Sequence, residues 1–232
     1  MILLRSTLYF LWFVAVSVVV HIAALPALLM PPAVTLLAAR IWCKLLLWGL
    51  KVIAGLDYEV RGAIPEGGAL VAAKHMSMWD TLALYLLLHD ARFVLKKELL
   101  SIPFYGWFVK KAVMIAIDRA GHASALRKMA AAVKEAVAGG HAVVIFPEGT
   151  RKKPGAPPDY KPGVAALYTQ LGMECVPVAL DSGRYWQGLT KRSGTIVVEF
   201  LPAIPPGLDR RAFMATLEDR IETATAKLLA KS

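Results

Sequence analysis

The first 56 residues contain no aspartate or glutamate, and their only charged side chains are Arg5, Arg40, Lys44 and Lys51. Residues 6–30 are apolar apart from small hydroxyls and His21, long enough to cross a hydrocarbon core, which takes about 20 helical residues. A cleaved signal peptide fits less well. Its apolar stretch runs about 7–15 residues before polar residues return, whereas this chain stays apolar almost to Gly55. Pro31 and Pro32 interrupt the run, since neither continues a helix from before it. A second segment, residues 33–53, places Arg40, Lys44 and Lys51 within about 40° of one another at 100° per residue. That pattern fits a helix lying in the headgroup layer with its cations toward lipid phosphate, the alternative being a second span with snorkelling cations. Tyr9, Trp12, Trp42 and Trp48 suit interfacial positions. Residues 1–55 are therefore expected to form a membrane-anchoring helical segment, either a hairpin or one span plus a surface helix.

All 17 acidic residues and most of the 27 basic ones lie beyond that segment, and the net charge is +10. A basic surface suits a nucleic acid or an anionic membrane; the apolar leader selects the membrane. No RNP-like aromatic segment, zinc-finger spacing or basic-region helix is present, so no nucleic-acid partner is expected. Cys43 and Cys175 sit in apolar runs without metal-ligand or CxxC spacing, which reads as two small buried hydrophobes. So few cysteines fit a domain facing the cytosol, where no disulfide framework is needed. The expected location is the inner (cytoplasmic) membrane, with residues 56–232 on its cytoplasmic side.

Residues 56–232 read as short apolar runs alternating with amphipathic helices. Strands are predicted at residues 69–73, 92–95, 113–117, 141–146, 176–180 and 195–200. Helices are predicted at about 78–88, at 122–138 with Gly139 and Gly140 closing it, at 161–171 with Gly172 after its end, and at 209–230. Strands separated by helices imply an α/β fold: a largely parallel mixed sheet flanked by helices, behind the N-terminal helical anchor. In such sheets binding sites gather outside the carboxyl ends of the strands.

Three predicted strand ends carry the polar residues that stand out. Lys74-His75-Met76-Ser77-Met78-Trp79-Asp80 follows the first strand. His75 and Asp80 lie about 140° apart on an ideal helix, so they meet only if His75 sits in the turn leaving the strand and Asp80 in the first helical turn. Ser77-x-x-Asp80 also resembles a capping box, which gives Asp80 a purely structural reading. Ile117-Asp118-Arg119 and Phe146-Pro147-Glu148-Gly149-Thr150-Arg151 end two further strands. Arg119 and Arg151 are candidates for a phosphate, where planar bidentate donors bind well. A neutral imidazole, with a pKa of about 6.5, is suited to take a proton at cytosolic pH, and a carboxylate on its other nitrogen fixes the tautomer. There is no GxSxG elbow, P-loop or GxGxxG, and no cofactor or metal is expected. Residues 99–109, with Ile102, Phe104, Trp107 and Phe108, form the candidate wall of an apolar slot or a surface dipping into the membrane.

These blocks, in this order, resemble the 1-acylglycerol-3-phosphate acyltransferases, the lysophospholipid acyltransferase family. The HxxxxD motif is matched by His75 and Asp80, and the second block by Lys97-Glu98-Leu99 through Pro103, Gly106 and Ile117-Asp118-Arg119. The third is matched by residues 146–151, and the fourth by Val176-Pro177-Val178. The resemblance covers residues 65–185, with Lys74 standing where many members carry Asn and Ala112 where Gly is common. It implies transfer of a fatty acyl group from acyl-ACP (acyl carrier protein) or acyl-CoA to the 2-hydroxyl of lysophosphatidate, giving phosphatidate. His75 would be the general base and Asp80 its orienting partner. Acceptor binding would fall to Glu148, Gly149, Thr150 and Arg151 together with Arg119, and Glu148 could hold a glycerol hydroxyl. Variants are another acceptor, a lysophospholipid or lyso-ornithine lipid, or hydrolysis at the same His/Asp pair. Lys74 and the Lys152-Lys153 loop could bear on the acceptor. A different class, a non-catalytic membrane scaffold of the same fold, would be expected to lack His75 or Asp80.

Overall fold

A computed structural model describes residues 1–118 and 122–230 of the chain. It opens with two apolar helices, α1 (Ile2–Ala23) and α2 (Pro32–Gly49). Pro32 occupies the first turn of α2, where its missing amide leaves no bond unmade. By length and composition, α1 and the stretch Pro32–Ala54 could each cross a membrane. The two helices pack as an antiparallel hairpin. The Trp12 ring lies 5.3 Å from Trp48, its Nε1 donates to the Leu45 carbonyl at 3.1 Å, and Trp42 Nε1 donates to Ser17 Oγ at 3.0 Å. After Gly49 the chain widens into a π-helical turn over Leu50–Ala54. The expected face of three cations therefore loses Lys51, which pairs with Asp57 at 2.8 Å instead.

The strands follow as β1 (Leu56–Arg61), β2 (Leu70–Ala73), β3 (Arg92–Lys96), β4 (Ile115–Ile117), β5 (Val143–Ile145), β6 (Cys175–Leu180), the short hairpin β7 (Trp186–Gln187) and β8 (Thr190–Lys191), and β9 (Gly194–Phe200). Between and after them run α3 (Met78–Leu87), α4 (Tyr105–Lys111), α5 (His122–Ala138), α6 (Gly163–Leu171) and α7 (Arg210–Ala230). Seven strands make one sheet in the order β1-β9-β6-β2-β5-β3-β4. The five from β6 to β4 are mutually parallel, and the β9–β1 pair runs against them. The expected fold class, a largely parallel mixed sheet flanked by helices, is the one observed.

Central β2 shows why this sheet is apolar on both sides. Alternate side chains enter opposite faces: Val71 and Ala73 join Trp79, Leu82, Leu46 of α2 and Leu50 of the π-helical turn, while Leu70 and Ala72 join Val133, Val164 and Phe213. The helical hairpin thus covers one face together with α3, and α5, α6 and α7 cover the other.

Four elements and one strand boundary differ from the sequence expectation. β1 was not anticipated, because Leu56-Asp57-Tyr58-Glu59-Val60-Arg61 is an edge strand with mostly polar side chains. The β7–β8 pair is too short to leave a periodicity. Within residues 99–109, α4 forms after a 3-10 turn at Lys97–Ser101. Val113 is not part of β4; it takes a left-handed turn conformation at φ 56. Cys43 and Cys175 are free and buried, as expected.

α1 touches the rest of the molecule at both ends. Near its start, Ser6 Oγ accepts the Lys191 amide at 2.9 Å and Tyr9 meets Trp186 edge-on at 5.7 Å. Near its end, His21 meets Phe108 of α4 at 5.2 Å. Lys191 is buried at the first contact, its ammonium 4.4 Å from the Trp186 ring and donating to the Gly188 carbonyl at 2.9 Å. Burial pushes this ammonium down to about 8. The unfolded chain therefore holds more protons here than the folded one between about pH 8 and 10.5, so this residue's destabilising contribution is full below 8 and fades as pH rises to 10.5. Melting temperatures of Lys191→Met minus wild type should accordingly fall across pH 8 to 10.5; a flat difference would contradict this reading.

Candidate functional site

β2 and β5 are neighbours in the parallel part of the sheet, so their carboxyl ends deliver His75 and the Phe146–Arg151 segment to one place. His75 follows β2 in the turn before α3, and Asp80 lies in the first turn of α3. This is the arrangement the pair needs to meet, and they do: His75 Nδ1 is 2.9 Å from Asp80 Oδ2. A carboxylate oxygen only accepts, so the hydrogen of this bond sits on Nδ1, and in the neutral imidazole Nε2 is then the nitrogen that can accept. The imidazole is stacked on Phe146 at 3.9 Å with 15° between planes, which fixes its tilt.

Asp80 is fully buried, and its charge is met by donors from three directions. Oδ2 also accepts the amides of Met76 at 2.7 Å and Ser77 at 2.9 Å, while Oδ1 accepts from the Ser182 hydroxyl. Ser77 Oγ accepts the Trp79 amide at 3.1 Å, completing a capping box at the start of α3. The helix start and the imidazole therefore share one carboxylate, and the structural and chemical readings of Asp80 both hold geometrically.

The Phe146–Arg151 segment turns back through Gly149, whose φ of 62 suits glycine and whose amide donates to the Phe146 carbonyl at 2.9 Å. Just beyond it, the Lys152 amide donates to the His75 carbonyl at 2.9 Å, drawing Arg151 toward the histidine backbone. Gly149, Thr150, Arg151 and His75 all line one cavity of about 1200 Å³. Tyr105 and Lys161 also line it, neither of which the sequence singled out. The remaining wall is apolar and comes from both sides: Phe13, Val20 and Trp42 from the hairpin, Leu82 and Tyr85 from α3, Ile102, Phe108 and Val109 from the α4 region. The expectation that residues 99–109 wall an apolar slot thus holds for Leu99, Ile102, Tyr105, Phe108 and Val109, whereas Phe104 and Trp107 face outward and are about half exposed.

Glu148 does not join the other residues of its segment. It is 1% exposed and its Oε1 accepts from Lys74 Nζ at 2.9 Å, away from the cavity lining. Lys74 is itself buried and donates also to Glu222 Oε1 at 2.7 Å on α7, which accepts in addition from Tyr160 Oη at 2.9 Å. The Glu148 carboxylate is thus turned into the interior and the Lys74 ammonium is closed between two carboxylates, so neither expected acceptor contact lines the cavity. Burial raises the Glu148 carboxyl above its usual range against the pull of Lys74, and burial with Glu222 nearby pushes the Tyr160 phenol up. Arg119 lies outside the described residues, and its neighbour Asp118 pairs with Lys97 at 2.7 Å. Among the described residues, no three His, Cys, Asp or Glu side chains cluster to hold a metal ion.

A His–Asp pair at the carboxyl end of a parallel sheet, bordering a large and mostly apolar cavity, fits an enzyme whose substrate has an apolar tail. The family model described as Acyltransferase matches residues 57–181. A 1-acyl-sn-glycerol-3-phosphate acyltransferase of Pseudomonas aeruginosa is 37% identical over 194 residues, covering 82% of this chain and 76% of that one. The human 1-acyl-sn-glycerol-3-phosphate acyltransferase alpha is 30% identical over 169 residues, covering 70% and 60%. The crystal structure of a 1-acyl-sn-glycerophosphate acyltransferase from Thermotoga maritima superposes with a TM-score of 0.81 over 100% of this chain and 99% of that one, at 19% identity, a likeness of fold. The chain belongs to the acyltransferase family, and it is an acyltransferase.

Removing Lys74 leaves two carboxylates facing each other without a cation. Lys74→Ala should lower the unfolding free energy by about 3–5 kcal/mol at neutral pH. The deficit should shrink as pH falls into the acid range, because burial raises the Glu148 carboxyl and it then takes a proton in place of a buried charge. Chemical denaturation of detergent-solubilised protein at neutral and acid pH reads both effects.

Proposed function

We propose that the chain transfers a fatty acyl group from acyl-ACP or acyl-CoA to the 2-hydroxyl of 1-acylglycerol-3-phosphate, giving phosphatidate. The observation that carries this reading is the oriented imidazole: Asp80 holds His75 by Nδ1, and His75 borders the apolar cavity that Arg151 also lines. The names of the relatives supply the acceptor. The acyl chain of the donor lies along the apolar wall, and Arg151 receives the acceptor phosphate as a planar donor. Gly149 and Thr150 lie beside the glycerol, and Glu148 works through Lys74 to keep their turn in place.

In the transfer, the 2-hydroxyl oxygen attacks the thioester carbonyl carbon as His75 Nε2 takes its proton. A carbon–oxygen bond forms, the carbon–sulfur bond breaks, and the proton passes from the imidazolium to the departing thiolate. Asp80 keeps the tautomer and stabilises the imidazolium, without itself taking the proton. No acyl-enzyme is formed, since the acceptor oxygen is the nucleophile.

How the hairpin sits supports a location at the cytoplasmic face of the inner membrane. Both ends of α1 rest on the α/β domain, so the helix lies along that domain rather than projecting from it. Its outer side is apolar, with Leu3, Leu11, Val19 and Ile22 all exposed, as is Leu29 in the turn that follows. A hairpin fastened in this way enters the cytoplasmic face of the inner membrane from one side and does not carry the turn at residues 24–31 across it, Arg40 and Lys44 facing lipid phosphate.

Acyl transfer by purified protein with labelled acyl donor and lysophosphatidate tests the chemistry. Phosphatidate should form with wild type, and His75→Ala should lose about 10²–10⁴-fold of the rate; full activity in that variant would end the proposal. A panel of other lysolipids distinguishes a wrong acceptor from a wrong reaction. For the membrane geometry, Leu29→Cys bound to preformed vesicles should stay unlabelled by an impermeant maleimide trapped inside them, and labelling would mean that the turn crosses.

A further inference from the structure

Asp80 Oδ2 is saturated from within its own segment, by His75 Nδ1 and the amides of Met76 and Ser77. Oδ1 is not. Ser77 Oγ lies 3.3 Å from Oδ1 but 2.9 Å from Ser182 Oγ. A hydroxyl has one proton to give, and the shorter contact takes it. Ser182 in turn donates to Oδ1. A directed chain results: the Trp79 amide donates to Ser77, Ser77 to Ser182, and Ser182 to Asp80. Ser182 is fully buried, stands 102 residues from Asp80 in sequence, and makes both of these hydroxyl contacts to the His75–Asp80 segment.

The backbone around Ser182 is held independently on each side. Asp181 Oδ1 turns the other way and accepts the Val197 amide of β9 at 2.8 Å, pinning the end of β6. The amides of Arg184 and Tyr185 donate to the carbonyls of Asp181 and Ser182 at 2.9 and 3.0 Å, closing a 3-10 turn. Gly183 is packed so closely that an added Cβ would lie 2.9 Å from Met76 Cβ. Gln187 Nε2 donates to the Gly183 carbonyl at 3.0 Å. A turn braced in this way sets the hydroxyl rather than merely tolerating it.

We propose that Ser182 is a positioning residue for the reaction, fixing the rotation of the Asp80 carboxylate about its Cβ–Cγ bond and drawing charge toward Oδ1, away from the imidazole. It acts through Asp80 and touches no substrate. The inference rests on the His75–Asp80 mechanism proposed above. With the hydroxyl gone, Oδ1 keeps only the longer Ser77 Oγ contact at 3.3 Å, so the carboxylate is held less firmly and the charge on Oδ2 facing the imidazole increases. The first effect lowers the turnover at every pH; the second stabilises the protonated base and moves the acid side of the rate profile to higher pH.

The test compares Ser182→Ala and Ser182→Cys with wild type and His75→Ala in kcat and KM against pH. Ser182→Ala should lose roughly tenfold in plateau kcat, the scale of one hydrogen bond to a charged group. Its acid limb should shift upward by about half a pH unit, with KM for both substrates unchanged. The thiol of Ser182→Cys is a near-isosteric, weak donor and should give intermediate values. Imidazole ¹⁵N spectra of labelled protein, with the His75 signal assigned by its loss in His75→Ala, should show the fraction carrying hydrogen on Nδ1 rising in Ser182→Ala. A lowered melting temperature with the acid limb and the Nδ1 fraction unmoved would assign Ser182 to folding alone and overturn the inference. Activity surviving in His75→Ala would instead overturn the mechanism on which it rests.

Discussion

The site depends on one buried anion. Asp80 has no exposed surface, and a carboxylate in such a place is tolerated only when its oxygens are filled by donors. The chain provides these from the loop after β2, from the start of α3 and from the end of β6. The start of a helix already offers unpaired amides and a positive dipole end, so the carboxylate that caps α3 is stabilised before the histidine is considered. The imidazole then becomes one more donor to an anion that the fold needs in any case. This explains how a structural cap and an orienting carboxylate coincide in one residue without conflict.

Much of this could be read in the chain because the chemistry is local. His75 and Asp80 share a seven-residue segment, residues 146–151 follow a strand, and strands alternating with helices imply that such ends converge. What could not be read is long-range. Lys74 finds Glu222 148 residues away, and Ser182 sits in an ordinary Asp-Ser-Gly-Arg stretch that no spacing rule marks. For Glu148 the position in the segment is visible, but the direction of its side chain is decided by a lysine just beyond the neighbouring strand. Lys51 fails for a related reason, since the angular argument assumes a regular helix and the chain widens before reaching it. β1 escaped notice because an edge strand with polar alternate positions has no apolar pattern to show.

The Lys74–Glu148–Glu222 cluster is an expensive way to hold a turn. Buried ion pairs seldom gain stability over apolar packing of equal volume, yet they resist rearrangement, because any altered geometry strands a charge. Here the geometry that is preserved joins three pieces: the residue before His75, the turn bearing Gly149, Thr150 and Arg151, and the last helix. α7 lies on the opposite face of the sheet from the helical hairpin, and through Glu222 it nonetheless bears on the cavity. Tyr160 adds a neutral donor to the more exposed of the two carboxylates. The cluster therefore reads as a device for specificity of shape, with its cost carried by the two apolar layers on either side.

The helical hairpin has a second role beyond covering the sheet. Phe13, Val20 and Trp42 line the same cavity as His75, so the segment that contacts lipid in the proposed geometry also forms a wall of the site. For a substrate with long acyl chains, the main cost of reaching a catalytic base is exposure of those chains to water, at about 0.8 kcal/mol for each methylene. A cavity that begins at apolar helices and ends at His75 removes most of that exposure along the way. It also requires the hairpin to stay fixed to the α/β domain, and the Ser6–Lys191 and Tyr85–Leu36 hydrogen bonds together with the His21–Phe108 contact hold it there. A freely hinged anchor would tether the domain equally well but would open the cavity to solvent on one side. The fastening at both ends of α1 is thus better explained by the needs of the cavity than by those of attachment.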